Sequence, residues 1–221
     1  MEYTLAFDVY GTLIDTSGIL KSLTRLTGET AKDFMDTWRN KQLEYAFRRG
    51  LMNSYVDFSE CTSHALNYSC LVYNIPLKPT EKESLLQEYS TLPAFEDVTI
   101  GLEKLKAAGH HLFAFSNGSK KTVSQLLQNS KILNYFKDVV SVADVETFKP
   151  NPAVYTYFNT HTNSTKTNSW LISSNPFDVI GAISYGMRSA WVKRSENSVF
   201  DPWGIDPTLV ISSIAELDNQ L

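Results

Sequence analysis

Apolar positions change their spacing twice along the chain. Tyr3–Phe7 is a short apolar run closed by Asp8 and a glycine-containing turn, the texture of a buried parallel strand. From about Thr16 to Thr91 no strand-like alternation is found. Phe34, Trp38, Leu43 and Phe47 recur at helical spacing within Ala31–Gly50, and Phe58–Tyr73 repeats that texture. Thr80, with Glu83 three residues on, is the expected N-cap of a third helix, and Pro76, Pro79 and Pro93 punctuate the ends. Residues 16–97 therefore read as an all-helical insert.

Beyond the insert the periods alternate. Helices are predicted over Val98–Ala108 (ended by Gly109), Lys120–Asn129, Pro152–Asn159 and Phe177–Ser184. Strands are predicted over His111–Phe115, Val139–Val142, Trp170–Ser173 and Ser189–Val192, followed by an apolar piece at Leu209–Ile211 and a terminal helix. Alternation of this kind implies an α/β, Rossmann-like fold, a parallel sheet with helices on both faces, assembled from residues 1–15 and 98–221.

Composition narrows the function. With 221 residues, 43% of them hydrophobic, the chain can bury one sizeable core besides the insert. A formal net charge of −4 offers no basic field to a polyanion, so no nucleic-acid partner is expected. No run approaches the roughly 20 apolar residues of a membrane helix. The opening MEYTLAFDVYGTL has neither the basic start nor the long apolar stretch of a secretory signal. Cys61 and Cys70 are too far apart for a close-spaced metal or redox pair and read as reduced, structural thiols. A cytoplasmic protein is expected, and the N-x-S/T triplets at Asn67, Asn117 and Asn163 then carry no weight.

In a parallel sheet, functional groups gather beyond the carboxyl ends of the strands. Four such ends carry polar clusters: Asp8, Ser116–Asn117, Lys149, and Ser173-Ser174-Asn175 with Asp178. Ordinary turn chemistry covers any one of them. It does not cover all four, because a lysine and a Ser-Asn pair are not generic loop choices. Arg39, by contrast, would read as solvated charge on a helix, and Tyr155 as core packing.

The sequence FDVYGTLID (7–15) resembles the nucleophile motif of the haloacid dehalogenase superfamily, with Asp8 and Thr12 at its matching positions. Ser116-Asn117-Gly118, Lys149-Pro150 and Ser173-Ser174-Asn175 with Asp178 follow in the family's order, and TWRNKQLEY (37–45) is similar to the L-2-haloacid dehalogenase branch. The superfamily's phosphatases usually carry a second Asp where this chain has Tyr10, and a Gly-Asp pair where it has SSN. Magnesium normally needs such carboxylates. No metal and no other cofactor is therefore expected, and a magnesium-dependent phosphatase is disfavoured.

The resemblance implies the insert to be a cap and the activity to be hydrolysis of an (S)-2-haloacid to an (R)-2-hydroxyacid, through an ester on Asp8. Lys149 would keep Asp8 ionised, and Asp178 with Ser173 and Asn175 would position or activate water. Arg39, assisted by Asn117, would meet the departing halide. Ser116 and the Val9–Tyr10 amides would bind the substrate carboxylate. Tyr10, Leu43, Phe58 and Phe177 would form an apolar wall, and Tyr155 would hydrogen-bond the reaction centre. Asn40 and Phe177 depart from the branch, where Gln and often Trp stand, which bears on substrate size. The expected partners are a small 2-substituted carboxylic acid and, by resemblance, a second copy in a homodimer. Azetidine-2-carboxylate hydrolysis, a ring opening by the same Asp, remains open at this level.

Overall fold

A computed structural model of the chain describes residues 2–202 and 204–221. Six parallel strands form one sheet in the order β3-β2-β1-β4-β5-β6: β1 (Thr4–Phe7), β2 (His111–Ser116), β3 (Asp138–Ser141), β4 (Ser169–Ser173), β5 (Arg188–Val192) and β6 (Leu209–Ile211). The period-2 alternation of each strand divides its side chains between two cores. Leu5, Phe7, Leu112, Ala114, Trp170 and Ile172 join one cluster, and Ala6, Phe113, Phe115 and Leu171 join the other. Central β1 is buried on both faces, so its sequence is an apolar run and not an alternation.

The helices are α1 (Leu20–Thr27), α2 (Ala31–Leu51), α3 (Phe58–Val72), α4 (Pro79–Glu88), α5 (Val98–Ala107), α6 (Lys120–Asn129), α7 (Pro152–Thr162) and α8 (Pro176–Tyr185). The first four lie between β1 and β2, with α2 packed along α1 and α3. Phe34, Trp38, Leu66 and Leu85 from these helices share a core with β1, so apolar packing runs unbroken from sheet to insert. The chain crosses between the two through Leu13–Asp15 and back through Pro93–Phe95. These crossings bond to each other, Phe95 N to Leu13 O at 3.0 Å and Asp15 N to Pro93 O at 2.9 Å.

Element types follow the sequence reading, while several boundaries move. Thr80 is not the N-cap of α4. Lys78 holds that position because Pro79, with its fixed φ and missing N–H, fits the first helical residue, and Glu81 accepts the Lys78 N–H at 2.7 Å. α1 had no separate sequence signal. β3 ends at Ser141, and Val142 already belongs to a 3-10 turn. α7 runs on to Thr162, and the last element, Ile214–Asn219, is 3-10 helix.

Because β2 and β4 flank β1 on opposite sides, the chain's winding direction reverses at β1. The carboxyl end of β1 is thus the crevice where an open α/β sheet exposes backbone and side chains together.

Candidate active site

Asp8 follows β1, its N–H bonded to Ile172 O at 2.9 Å. The chain then folds back: the Val9 carbonyl accepts the N–H groups of Leu13 and Ile14, each at 3.0 Å, and Gly11 takes φ +80°, which a β-carbon would penalise. This turn returns Thr12 to the carboxylate. Oδ2 of Asp8 accepts from Thr12 Oγ1 at 2.8 Å, Asn175 Nδ2 at 2.7 Å and Ser173 Oγ at 3.3 Å. Oδ1 faces Lys149 Nζ at 3.2 Å.

Lys149 lies 1% exposed, and its ammonium also donates to the Phe115 carbonyl and to Asp178 Oδ2, each at 2.8 Å. The side-chain Oδ1 of Asn117 accepts the Lys149 backbone N–H at 3.0 Å and fixes the loop that delivers it. Asp178 is fully buried in the first turn of α8. Burial pushes its carboxyl up to about 6; Lys149 opposes that rise and Asp8 adds to it. Tyr155, expected at the reaction centre, instead donates to Asp178 Oδ1 at 2.8 Å. It reaches that carboxylate from α7 among Phe115 and Tyr185, so its contact with Asp8 runs only through Asp178.

Asn175 occupies the N-cap position of α8 without capping it. Its amide is drawn to the site: Nδ2 serves Asp8, and Oδ1 lies 3.4 Å from Arg39 Nη2. Arg39 therefore does face the centre from α2, with Gln42 Oε1 accepting from its Nη1 at 2.8 Å.

Around Asp8 several donors lack acceptors among the described residues. The Val9 and Tyr10 N–H groups are unbonded. Ser116 Oγ accepts the Gly118 N–H at 3.1 Å, which leaves its own proton free, and the Asn117 amide N–H groups are likewise unpaired. Donors without acceptors beside an arginine form a receptor for an anion.

The expected apolar wall divides. Tyr10 pairs with Phe58 at 6.1 Å between ring centroids, beside a cavity of about 120 Å³ that Gln42 and Tyr89 also line. Burial pushes the Tyr10 hydroxyl above its ordinary range, helped by Tyr89. Phe177 pairs with Phe47 at 5.0 Å and, with Lys149, lines a separate groove of about 810 Å³ along α8. Leu43 is half-buried on α2, one turn from Arg39 and one turn from Phe47, while Asn40 is exposed. The sequence reading missed Gln42 and Thr62 as parts of the site; Ser174, named within its cluster, accepts from Thr12 and donates to the Gly11 carbonyl at 2.8 Å. Gln42 had a signal: it stands four residues after Trp38, on the helix face predicted to be buried.

The family model for haloacid dehalogenase-like hydrolases matches residues 5–192. An (S)-2-haloacid dehalogenase of Pseudomonas putida is 33% identical over 98% of this chain and 95% of its own length. Another, from Pseudomonas fluorescens, is 34% identical over 97% and 94%. The structure of an L-2-haloacid dehalogenase from Xanthobacter autotrophicus with chloropropionic acid covalently bound superposes with a TM-score of 0.93 at 26% identity, covering 99% of this chain and 98% of that one. With its four motif segments converging on one carboxylate, the chain belongs to the haloacid dehalogenase-like hydrolases, on the L-2-haloacid dehalogenase branch.

Proposed function

We propose that this protein hydrolyses (S)-2-haloacids to (R)-2-hydroxyacids and halide through an ester on Asp8, without a metal ion. The observation that carries this reading is an ordered carboxylate facing an empty set of anion donors. Ser116 and the Val9 and Tyr10 amides take the substrate carboxylate. That anchorage sets the α-carbon against Asp8 Oδ1, the oxygen with the single donor and hence the freer lone pairs. Oδ1 bonds to the α-carbon as the carbon–halogen bond breaks and halide departs toward Arg39. Alignment of this kind contributes several kcal/mol. Oδ2 then becomes the ester carbonyl, already surrounded by Thr12, Asn175 and Ser173.

Water adds to that carbonyl and passes its proton to Asp178, whose carboxyl at about 6 is poised for a general base. The acyl–oxygen bond breaks, the hydroxyacid takes a proton and leaves, and Asp8 keeps one oxygen from water. Tyr155 and Lys149 hold Asp178 in place. A cation already sits between the two carboxylates, since Lys149 Nζ touches both. That contact supports the metal-free reading.

In this reading residues 16–97 form a cap over the core of 1–15 and 98–221. We propose a cytoplasmic homodimer, for which the buried free cysteines and the exposed Leu51 and Met52 at the end of α2 are the support. No helix among the described residues is long and apolar enough to cross a membrane.

EDTA-treated protein should release halide from L-2-chloropropionate, not from the D form, and should leave azetidine-2-carboxylate intact. A single turnover in heavy-oxygen water should label Asp8 before product. Label confined to product, or loss of turnover in EDTA, would refute the reading.

A further inference from the structure

The cation half of the site is held partly by residues to which the proposed chemistry gives no part. Arg39 has no carboxylate within ion-pair distance among the described residues. Its hydrogen-bond acceptors are the neutral amide oxygens of Gln42 and Asn175. Behind it, Gln42 is 2% exposed and Thr62 7%. A buried amide and hydroxyl cost free energy unless each group is paired. Here each is paired, and in one direction only.

Thr62 donates its single hydroxyl proton to the Phe58 carbonyl at 2.9 Å, so its oxygen is left to accept. It accepts from Gln42 Nε2 at 2.5 Å. That contact turns the amide so that Oε1 meets Arg39 Nη1 at 2.8 Å. A flipped amide would press its N–H groups against the guanidinium and its oxygen against the Thr62 oxygen. Trp38 Nε1 donates to the Thr62 carbonyl at 2.8 Å, tying α2 to α3 at the same residue.

We propose that Gln42 and Thr62 are positioning residues that aim the Arg39 guanidinium at the departing halide while leaving its charge uncompensated. The inference rests on the dehalogenase reading. A glutamate at 42 would also hold the arginine, but as an ion pair, and would compete with the leaving group for the same charge. Glutamine supplies the geometry without the neutralisation.

The test measures kcat and KM on 2-chloro- and 2-bromopropionate, with bromide as an inhibitor, for Gln42→Leu, Gln42→Glu, Thr62→Val and Thr62→Ser. Thermal melting checks folding. Gln42→Leu should lower kcat on the chloro substrate by roughly ten- to a hundredfold, the loss for one hydrogen bond to a charged group. The loss should be smaller on bromide, the better leaving group, with KM little changed. Gln42→Glu should lose kcat and bromide inhibition together. Thr62→Val should lose part of the activity and Thr62→Ser should retain it. An active wild type with an equal loss on both halides, or with no loss, would overturn this inference alone. A wild type that releases no halide would overturn the dehalogenase reading and this inference with it.

Discussion

Lys149 is the residue on which the site's charge depends. Its ammonium donates to two carboxylates and one carbonyl, so it cannot rotate away without leaving Asp178 buried beside Asp8. Asp178 shows how finely that arrangement is set. Burial pushes its carboxyl up from 3.8 to about 6, so protonation is favoured in the fold and the ionised base is lost as pH falls through the raised value. Asp8 loses its charge in the ester, which removes one cause of the rise, so the acid limb of kcat should lie below that value. The Tyr155 hydroxyl lowers this value by bonding the ionised form. Tyr155→Phe removes that support, and the acid limb of kcat should move to higher pH by roughly one unit, one unit being about 1.4 kcal/mol. An unmoved limb would show that Asp178 is not the titrating group. Asp8, Lys149, Ser173, Asn175 and Asp178 were legible because polar clusters at four strand ends, one of them with a lysine, are together more than turn chemistry requires. The Tyr155 contact was not, because its partner comes from another helix and only packing brings the two together.

At the scale of elements, α8 carries the most constraint. Pro176 starts it, Asp178 lies in its first turn where the helix dipole favours a negative charge, and Gly181 faces α7. A β-carbon on Gly181 would sit 2.4 Å from Tyr155 Oη and 2.6 Å from Pro150 Cβ. Two opposing effects bear on Gly181→Ala. Alanine gains about 1 kcal/mol in helix propensity, whereas forced overpacking costs about 1–3 kcal/mol. Contact with a ring hydroxyl and a proline leaves little room to relax, so overpacking should win. The melting temperature should fall, and the Tyr155 contact with Asp178 should weaken, moving the acid limb in the same direction as Tyr155→Phe. Helix and strand types were readable from period alone. Caps were not, because Lys78 and Thr80 flank the same proline and only the Glu81 contact decides between them. Asn175 is the converse case, a cap-type residue whose amide serves Asp8.

For the whole molecule, the sheet's topology was legible in outline, since strands alternating with helices leave few arrangements. The joining of insert to core was not, because it depends on long-range contacts. Arg194 supplies several of them. Its guanidinium donates to the Thr12 carbonyl through Nε at 3.2 Å, pairs with Asp97 at 2.8 Å and lies 4.1 Å over the Phe95 ring. It thus holds both crossings at once and steadies the turn that presents Thr12 to Asp8. Arg194→Met should cost about 2 kcal/mol, less than a fully buried pair because both partners retain some exposure. Hydrogen exchange at the Asp15 and Phe95 amides should quicken more than exchange in β4; equal quickening would indicate a general loss of packing.

The side-by-side crossings have one more consequence. Ile14 and Ala94 form a bridge, so the helical segment leaves and rejoins the sheet at a single seam. A splice there would join the two crossings directly, but it would strip Phe34, Trp38, Leu66 and Leu85 from the shared core and Arg39 from the site. Changing side chains on the helical segment, and not excising it, is therefore how this chain would meet a new substrate while Asp8 keeps its place.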